Sequence, residues 1–255
     1  MKLDYKEDLF YGNDIVINDH ITIHQPTIGE IRKYSTNNEH FNGDVGYFRM
    51  VSIVTSTPAD YDVDLDAAGV RYEDVNPMEF FFGLCQMYQL TPDVTGILFG
   101  DLDLTKFVMV VNKETGQKLF VNPEDVRIDD SLYAYVINII REIHNVKENK
   151  RRWADEKSRA LHMDMEQKRR KRRKRKGDDP KHILLPIISM MVNRPGFKYD
   201  RESVDNLNLY YFYECYKQQL HDLQVEKLMT GVYVGLIDTK KINLEESLNL
   251  LRQDI

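Results

Sequence analysis

Cysteine is scarce in this chain: its 255 residues include only Cys85 and Cys215, each within an apolar stretch. A secreted domain held together by disulfides is therefore not indicated, and a reducing compartment fits better. No segment approaches the roughly 18 consecutive apolar residues that a membrane-spanning helix needs. The first residues carry acids where a signal peptide has a basic region. We therefore expect a soluble intracellular protein that neither spans nor crosses a membrane.

The known catalytic and cofactor motifs are also missing. There is no glycine-rich phosphate loop, no nucleophile elbow and no dinucleotide fingerprint, which leaves acid/base work by an isolated Asp or Glu as the enzymatic option. The seven histidines are scattered, and neither they nor the two cysteines have the spacing of zinc ligands. The sequence therefore predicts a binding protein with no catalytic residues, no metal and no cofactor.

One acidic cluster, Asp60, Asp62, Asp64 and Asp66, deserves comparison with a calcium loop. Three of its aspartates together with Glu73 match positions one, three, five and twelve of such a loop. The loop requires glycine at its sixth position, where this chain has alanine, and glycine falls instead on the eighth, normally apolar position. The pattern therefore favours a solvated acidic turn over a calcium site.

Apolar residues make up 42% of the chain and aromatic residues 11%, enough to form a substantial core. Alternating isoleucines from Ile15 to Ile23 predict a β-hairpin. Thr27 and Glu30 have the form of a capping box at a helix start. Further along, a helix should run towards Pro58, and Asn76 followed by proline should cap another.

The second half of the chain continues this mixture. A second hairpin is predicted from residues 107–111 and 118–121. Leucine, valine and isoleucine then recur at helical spacing from Leu132, and because no proline or glycine follows until Gly177, one long helix is predicted to carry the basic residues outward.

Helices also dominate the C-terminal part. They are expected at residues 180–192 with Asp179 as the N-cap, at 200–228 as one helix or a pair, and from Asn243 to Leu250. The fold class predicted is α+β and predominantly α-helical, with two helical lobes and small hairpins joined by a long basic helical arm. The predicted domains are residues 1–146, a charged arm or linker at 147–179, and residues 180–255.

The positive charge is concentrated in one place. Residues 147–176 hold 15 basic and 5 acidic residues, so the rest of the chain holds 20 basic and 36 acidic ones out of totals of 35 and 41. Such a tract fits nucleic-acid phosphates, an acidic protein surface including this protein's own body, or a solvated mobile linker. Its strongest part is an unbroken run of nine cations: Lys168, Arg169, Arg170, Lys171, Arg172, Arg173, Lys174, Arg175 and Lys176.

Five segments resemble a protein family of tailed phages and prophages of Gram-positive bacteria. They are IHQPTIGEI at 23–31, STPAD at 56–60, ILFGDLD at 97–103, NRPGFKY at 193–199 and LMTGVYVGLIDTKKI at 228–242. The family is identified as that of the tail assembly chaperones, whose genes lie just ahead of the tape measure gene. The similarity covers both predicted lobes, and the basic middle departs from it.

This resemblance implies a non-catalytic role. Such a protein binds the tape measure protein in several copies, acts in the host cytoplasm during infection, and is absent from the mature virion. The alternatives are a nucleic-acid-binding phage protein acting through the basic tract, and a structural tail or connector component. Adaptable aromatic and methionine-rich helix faces are candidate client contacts, although core packing explains most of them equally well. The candidates are Phe80, Phe81, Leu84, Met87, Tyr88, Tyr210, Tyr213, Tyr216, Met229 and Tyr233.

Overall fold

The computed structural model describes residues 5–113, 116–176, 181–237, 240, 243 and 247, with the backbone alone for 173, 174 and 176. Helices predominate within these residues, which confirms the predicted fold class. The α-helices are α1 (Lys6–Tyr11), α2 (Ile28–Arg32), α3 (Gly43–Val54), α4 (Asp62–Ala67), α5 (Pro77–Met87), α6 (Pro92–Phe99), α7 (Asp130–Ile143), α8 (Glu156–Lys176), α9 (Leu184–Val192) and α10 (Leu209–Tyr233).

The strands form two small antiparallel sheets. In the first, β1 (Ile15–Val16) pairs with β2 (Thr22–Ile23), and the Asn18 side chain closes the predicted turn by accepting from two backbone amides. In the second, β3 (Val108–Val111) pairs with β4 (Lys118–Val121), which also pairs with β5 (Arg127–Ile128). Both predicted hairpins are confirmed. The third strand was not predicted, because two residues are too few to show alternation.

Helix starts follow the predicted capping chemistry. The Thr27 hydroxyl accepts from the Glu30 amide while the Glu30 carboxylate accepts from the Thr27 amide, so the capping box is confirmed. The Asn76 side chain accepts from the amides of Met78 and Glu79, with proline at the first helical position. These bonds satisfy amide groups that have no partner inside the helix.

The core joins both halves of the chain. It contains an aromatic stack in which the ring centroids of Phe82 and Phe120 lie 4.1 Å apart. Leu209 and Phe212 from the C-terminal part belong to the same buried cluster. Backbone hydrogen bonds from Ile28 to the Leu207 carbonyl and from Leu209 to the Pro26 carbonyl tie α2 to the start of α10. The domain boundaries stay a prediction, but the predicted first and third segments share one core.

The predicted long helix from Leu132 into the basic tract is wrong, because α7 ends at Ile143. Asn145 adopts a left-handed conformation with φ of 53°. Its amide bonds to the Glu142 carbonyl and the Val146 amide to the Arg141 carbonyl, the two bonds of a Schellman ending. Asparagine tolerates this conformation better than most residues, so a helix can stop here without glycine or proline.

A separate helix carries the basic tract. The Asp155 carboxylate accepts from the Ser158 amide at 2.7 Å and so begins α8. The predicted helix at 180–192 is present as α9, but it begins at Leu184 and residues 181–183 precede it outside the helix. The predicted Asp179 cap lies outside the described residues. The predicted 200–228 segment divides into a 3-10 turn at Ser203–Asn206 and α10, and the Asn208 side chain caps the latter. The predicted last helix lies largely outside the described residues.

Candidate binding surfaces

Helix α8 lies against the acidic helix α4 through one stripe of its surface. Five of its side chains are wholly or partly buried, and they recur at helical spacing: Arg159, His162, Met163, Glu166 and Arg170. Among the described α8 side chains only Met163 is fully buried, at 7% exposure. The helix is therefore held by polar contacts more than by apolar packing. We call these five residues the inner stripe.

Ion pairs connect this stripe to the aspartates of α4. Arg170 donates to both carboxylate oxygens of Asp64, at 2.6 and 3.1 Å, and Arg159 pairs with Asp66. Hydrogen bonding with Asp64 raises the pKa of Arg170 above its usual value. Just ahead of α8, Arg151 pairs with Asp62 at 2.8 Å. The basic helix thus meets this protein's own acidic body, which was one of the three alternatives for the tract.

The predicted acidic turn is wrong, because Asp62, Asp64 and Asp66 lie on a helix. The predicted solvation holds for Asp64 and Asp66, whose side chains are 57% and 42% exposed, but not for Asp62, whose side chain is only 5% exposed. The sequence did not show that the counter-ions come from residues 89 to 106 positions further along. Within the described part of the chain, no group of three His, Cys, Asp or Glu side chains is arranged to hold a metal ion.

The nine-residue basic run divides into paired and unpaired cations. Lys168 pairs with Asp164 at 2.5 Å and Arg169 with Glu166 at 3.4 Å, both within α8. Three further cations are exposed and make no ion pair with any described residue: Lys171, Arg172 and Arg175. The side chains of Arg173, Lys174 and Lys176 lie outside the described part.

The candidate client residues are scattered between core and surface. Tyr233 is 82% exposed, at the end of α10. The remaining nine fall into three groups. The exposed members are Met87 and Met229, the half-buried members that pack against the core are Phe80, Tyr88, Tyr213 and Tyr216, and the buried members are Phe81, Leu84 and Tyr210. The buried side chains are enclosed by this chain's own core, and the client role of the exposed ones stays a prediction.

A larger apolar surface lies on α9, a helix whose only polar side chain is Ser189. Leu184 and Met191 point into the core. The opposite side of the helix is exposed to solvent, although most of its side chains are apolar. Leu185 is 56% exposed and Met190 is 38% exposed. We call this the α9 surface, which consists of Ile183, Leu185, Pro186, Ser189 and Met190.

A buried carboxylate, together with the core contacts, holds helix α9 in this orientation. Asp44 at the start of α3 accepts from the backbone amides of Ile183 and Leu184, and its other oxygen lies 2.7 Å from His182 Nδ1. Burial alone raises the pKa of Asp44, but these hydrogen bonds outweigh it and lower that pKa below its usual value. An ionised Asp44 therefore fixes the α9 surface towards solvent.

The second sheet offers another apolar surface at its edge. All four residues of β3 are between 45% and 60% exposed, so both faces of the strand are open. β3 pairs only with β4 among the described strands, which leaves its outer backbone groups unpaired. An apolar edge strand of this kind is a template for adding another strand. We call it the β3 edge.

The sequence did not predict either surface as a binding site. An all-apolar helix such as α9 is normally buried on every side. An apolar run such as that of β3 is likewise typical of an interior strand. Neither pattern shows how many sides of the helix or strand are covered by neighbouring elements. That coverage determines whether an apolar side is buried or exposed.

A buried polar pair in the core has a structural explanation. His144 Nδ1 donates to the Ile140 carbonyl at 2.6 Å, so its Nε2 accepts from the Tyr47 hydroxyl at 2.5 Å. Burial lowers the pKa of His144 to about 4, which keeps the ring neutral near pH 7. Both nitrogens are used inside the fold, so this histidine belongs to the core.

Comparison with protein-family models, curated proteins and solved structures finds no match to this chain. Among the described helices, none is both long and apolar enough to cross a membrane.

Proposed function

We propose that this chain is a non-catalytic protein-binding protein, and that its client is the tape measure protein of a tailed phage. The observation that carries this proposal is the α9 surface. Four of its five exposed side chains are apolar, on the side of the helix that faces solvent, where an ordinary surface helix is polar. Contiguous exposed apolar surface of this kind marks protein interaction sites.

The chemistry of the α9 surface suits a helical client. Leu185 and Met190 lie five residues apart on a helix that Asp44 and the core hold in place. Covering a large aliphatic side chain contributes about 1.5 to 3 kcal/mol. Methionine adapts to partners of varied shape, which a coat along a long client requires. The β3 edge adds a second apolar contact that accepts extended backbone. The family resemblance names the client, and these surfaces supply means of binding it.

Co-expression with the tape measure protein encoded in the same genome tests the proposal. We expect the client to remain in the supernatant and to co-purify with this chain. A client that is equally soluble without the chain and never co-purifies with it would overturn the proposal.

A pair of double variants locates the contact. Leu185→Lys with Met190→Lys places two charges on the α9 surface and should abolish co-purification. Leu161→Lys with Met165→Lys makes the same change at exposed apolar positions of α8, which are both 61% exposed. This control should retain the client. Equal loss in both pairs would refute the assignment to α9.

The proposal also concerns where the protein remains after assembly. A chaperone leaves the client before the tail is complete, whereas a tail or connector component stays. Mass spectrometry of purified particles should therefore not detect this chain. Its recovery in amounts comparable to a tail protein would favour the structural alternative.

A further inference from the structure

The side of α8 that faces away from the body carries only positive charge in its second half. Lys168, Lys171, Arg172 and Arg175 recur at spacings of three, one and three residues, so they form one stripe on the helix. All four side chains are exposed. We call them the outer basic face.

The inner stripe holds this face in a fixed orientation. Arg159 and Arg170, which lie about three helical turns apart on α8, pair with Asp66 and Asp64 on α4, so α8 is attached to the body at two points along its length. A docked helix loses less conformational freedom on binding than a free one does, and this lowers the cost of association. The outer basic face is thus preorganised.

From this arrangement we infer that the outer basic face binds the phosphate backbone of nucleic acid. The inference does not depend on the proposed client.

The composition of the face separates nucleic acid from an acidic protein partner. Protein interfaces depend on buried aromatic or aliphatic anchors surrounded by polar groups. Residues 168–176 contain cations alone. Neutralising phosphates needs nothing more, because counterion release supplies the affinity. The absence of aromatic rings also removes base stacking, so the binding should not depend on sequence.

The contact between α8 and α4 keeps the inner arginines away from this face. Arg170 holds Asp64 through two hydrogen bonds on the side of α8 that faces the body. Phosphate contacts should therefore come from the outer cations alone.

Fluorescence anisotropy with a 20-base-pair DNA duplex of mixed sequence tests the inference. We expect binding at 50 mM salt. The logarithm of the association constant should fall linearly with the logarithm of the salt concentration. The triple variant Lys171→Glu, Arg172→Glu, Arg175→Glu should lose binding at least tenfold, with a salt slope lower by about three. No detectable binding by the full chain at 50 mM salt would overturn the inference.

A matched triple variant controls for overall charge. Lys33→Glu, Lys198→Glu, Arg201→Glu reverses three exposed cations elsewhere and changes net charge by the same amount. Its affinity should stay within about threefold of the unmodified chain, and a loss as large as that in the α8 triple would refute a local site. Circular dichroism must show both triples folded.

Poly-glutamate in place of the duplex tests the kind of partner. We expect it to bind more weakly than the duplex. Poly-glutamate bound as tightly as the duplex would overturn the assignment to nucleic acid.

Discussion

Two regions of this protein are held in place by different forces. We call the elements that share the apolar core the body, and helix α8 the arm. In the body, the ring of Phe82 packs against those of Phe107 and Phe120, at centroid distances of 5.1 and 4.1 Å, and all three belong to the buried apolar cluster. In the arm, α8 contributes one fully buried side chain among those described, Met163, and a row of ion pairs to α4. The same chain therefore combines an apolar core with a docked helix that depends on charge.

The magnitudes differ accordingly. Burying a large apolar side chain contributes about 1.5 to 3 kcal/mol. An exposed ion pair contributes about 0 to 1 kcal/mol, and salt screens it. The body should therefore resist salt, whereas the docking of α8 should respond to it. The following predictions test this difference, from the largest expected effect to the smallest.

The largest effect is expected in the aromatic stack. Phe82→Ala removes a ring that is 1% exposed and leaves a cavity beside Phe120, so it should lower the free energy of unfolding by about 3 to 5 kcal/mol. Urea unfolding followed by circular dichroism measures it. Leu161→Ala on α8 is the control and should change the value by less than about 0.5 kcal/mol. Equal effects would remove the distinction between body and arm.

The next effect comes from His144 and depends on pH. Its pKa is about 4 in the folded protein and about 6.5 when unfolded. The unfolded state therefore binds more protons between these values, so stability falls as pH drops through this window. From pH 7 to pH 5 the loss should be about 2 kcal/mol.

Urea unfolding at both pH values checks this prediction. His144→Gln, which does not titrate, should reduce the difference between pH 7 and pH 5 to a small remainder. A loss of the same size in the variant would show that another group causes it.

The smallest effect on global stability is expected at the inner stripe. Arg159→Gln with Arg170→Gln removes two ion pairs to α4 and should cost less than about 2 kcal/mol in total. Hydrogen exchange of the α8 amides should nevertheless become faster, and 1 M NaCl should produce the same change in the unmodified chain. The exchange of α7 should not change.

The matched control uses the outer basic face. Arg172→Gln with Arg175→Gln removes two charges from the same helix without touching α4. Its α8 exchange at low salt should equal that of the unmodified chain. Faster exchange in this control as well would mean that helix propensity, rather than docking, decides the result.

Much of the fold was predictable because its signals are local. The capping box at Thr27 and the cap at Asn76 depend on residues within one helical turn, and the hairpins depend on alternation beside a turn. The end of α7 had a local signal too, an asparagine at position 145 with a valine after it. Glycine and proline are the commoner helix-ending residues, and their absence between Leu132 and Gly177 predicted a continuous helix instead.

The binding surfaces were less predictable because their signals are not local. The inner stripe repeats at helical spacing, but Arg159, His162 and Glu166 are polar, so hydrophobic periodicity does not detect it. The pairing of Arg170 with Asp64 joins residues distant in the sequence. For α9, the sequence reveals an apolar helix but not that only one side of it meets the core.

The most direct test of the proposed function is hydrogen exchange on the purified complex with the tape measure protein. The proposal predicts slower exchange in α9 and at the β3 edge than in the chain alone, with α8 unchanged. Protection confined to α8, or the absence of any change in α9, would contradict it.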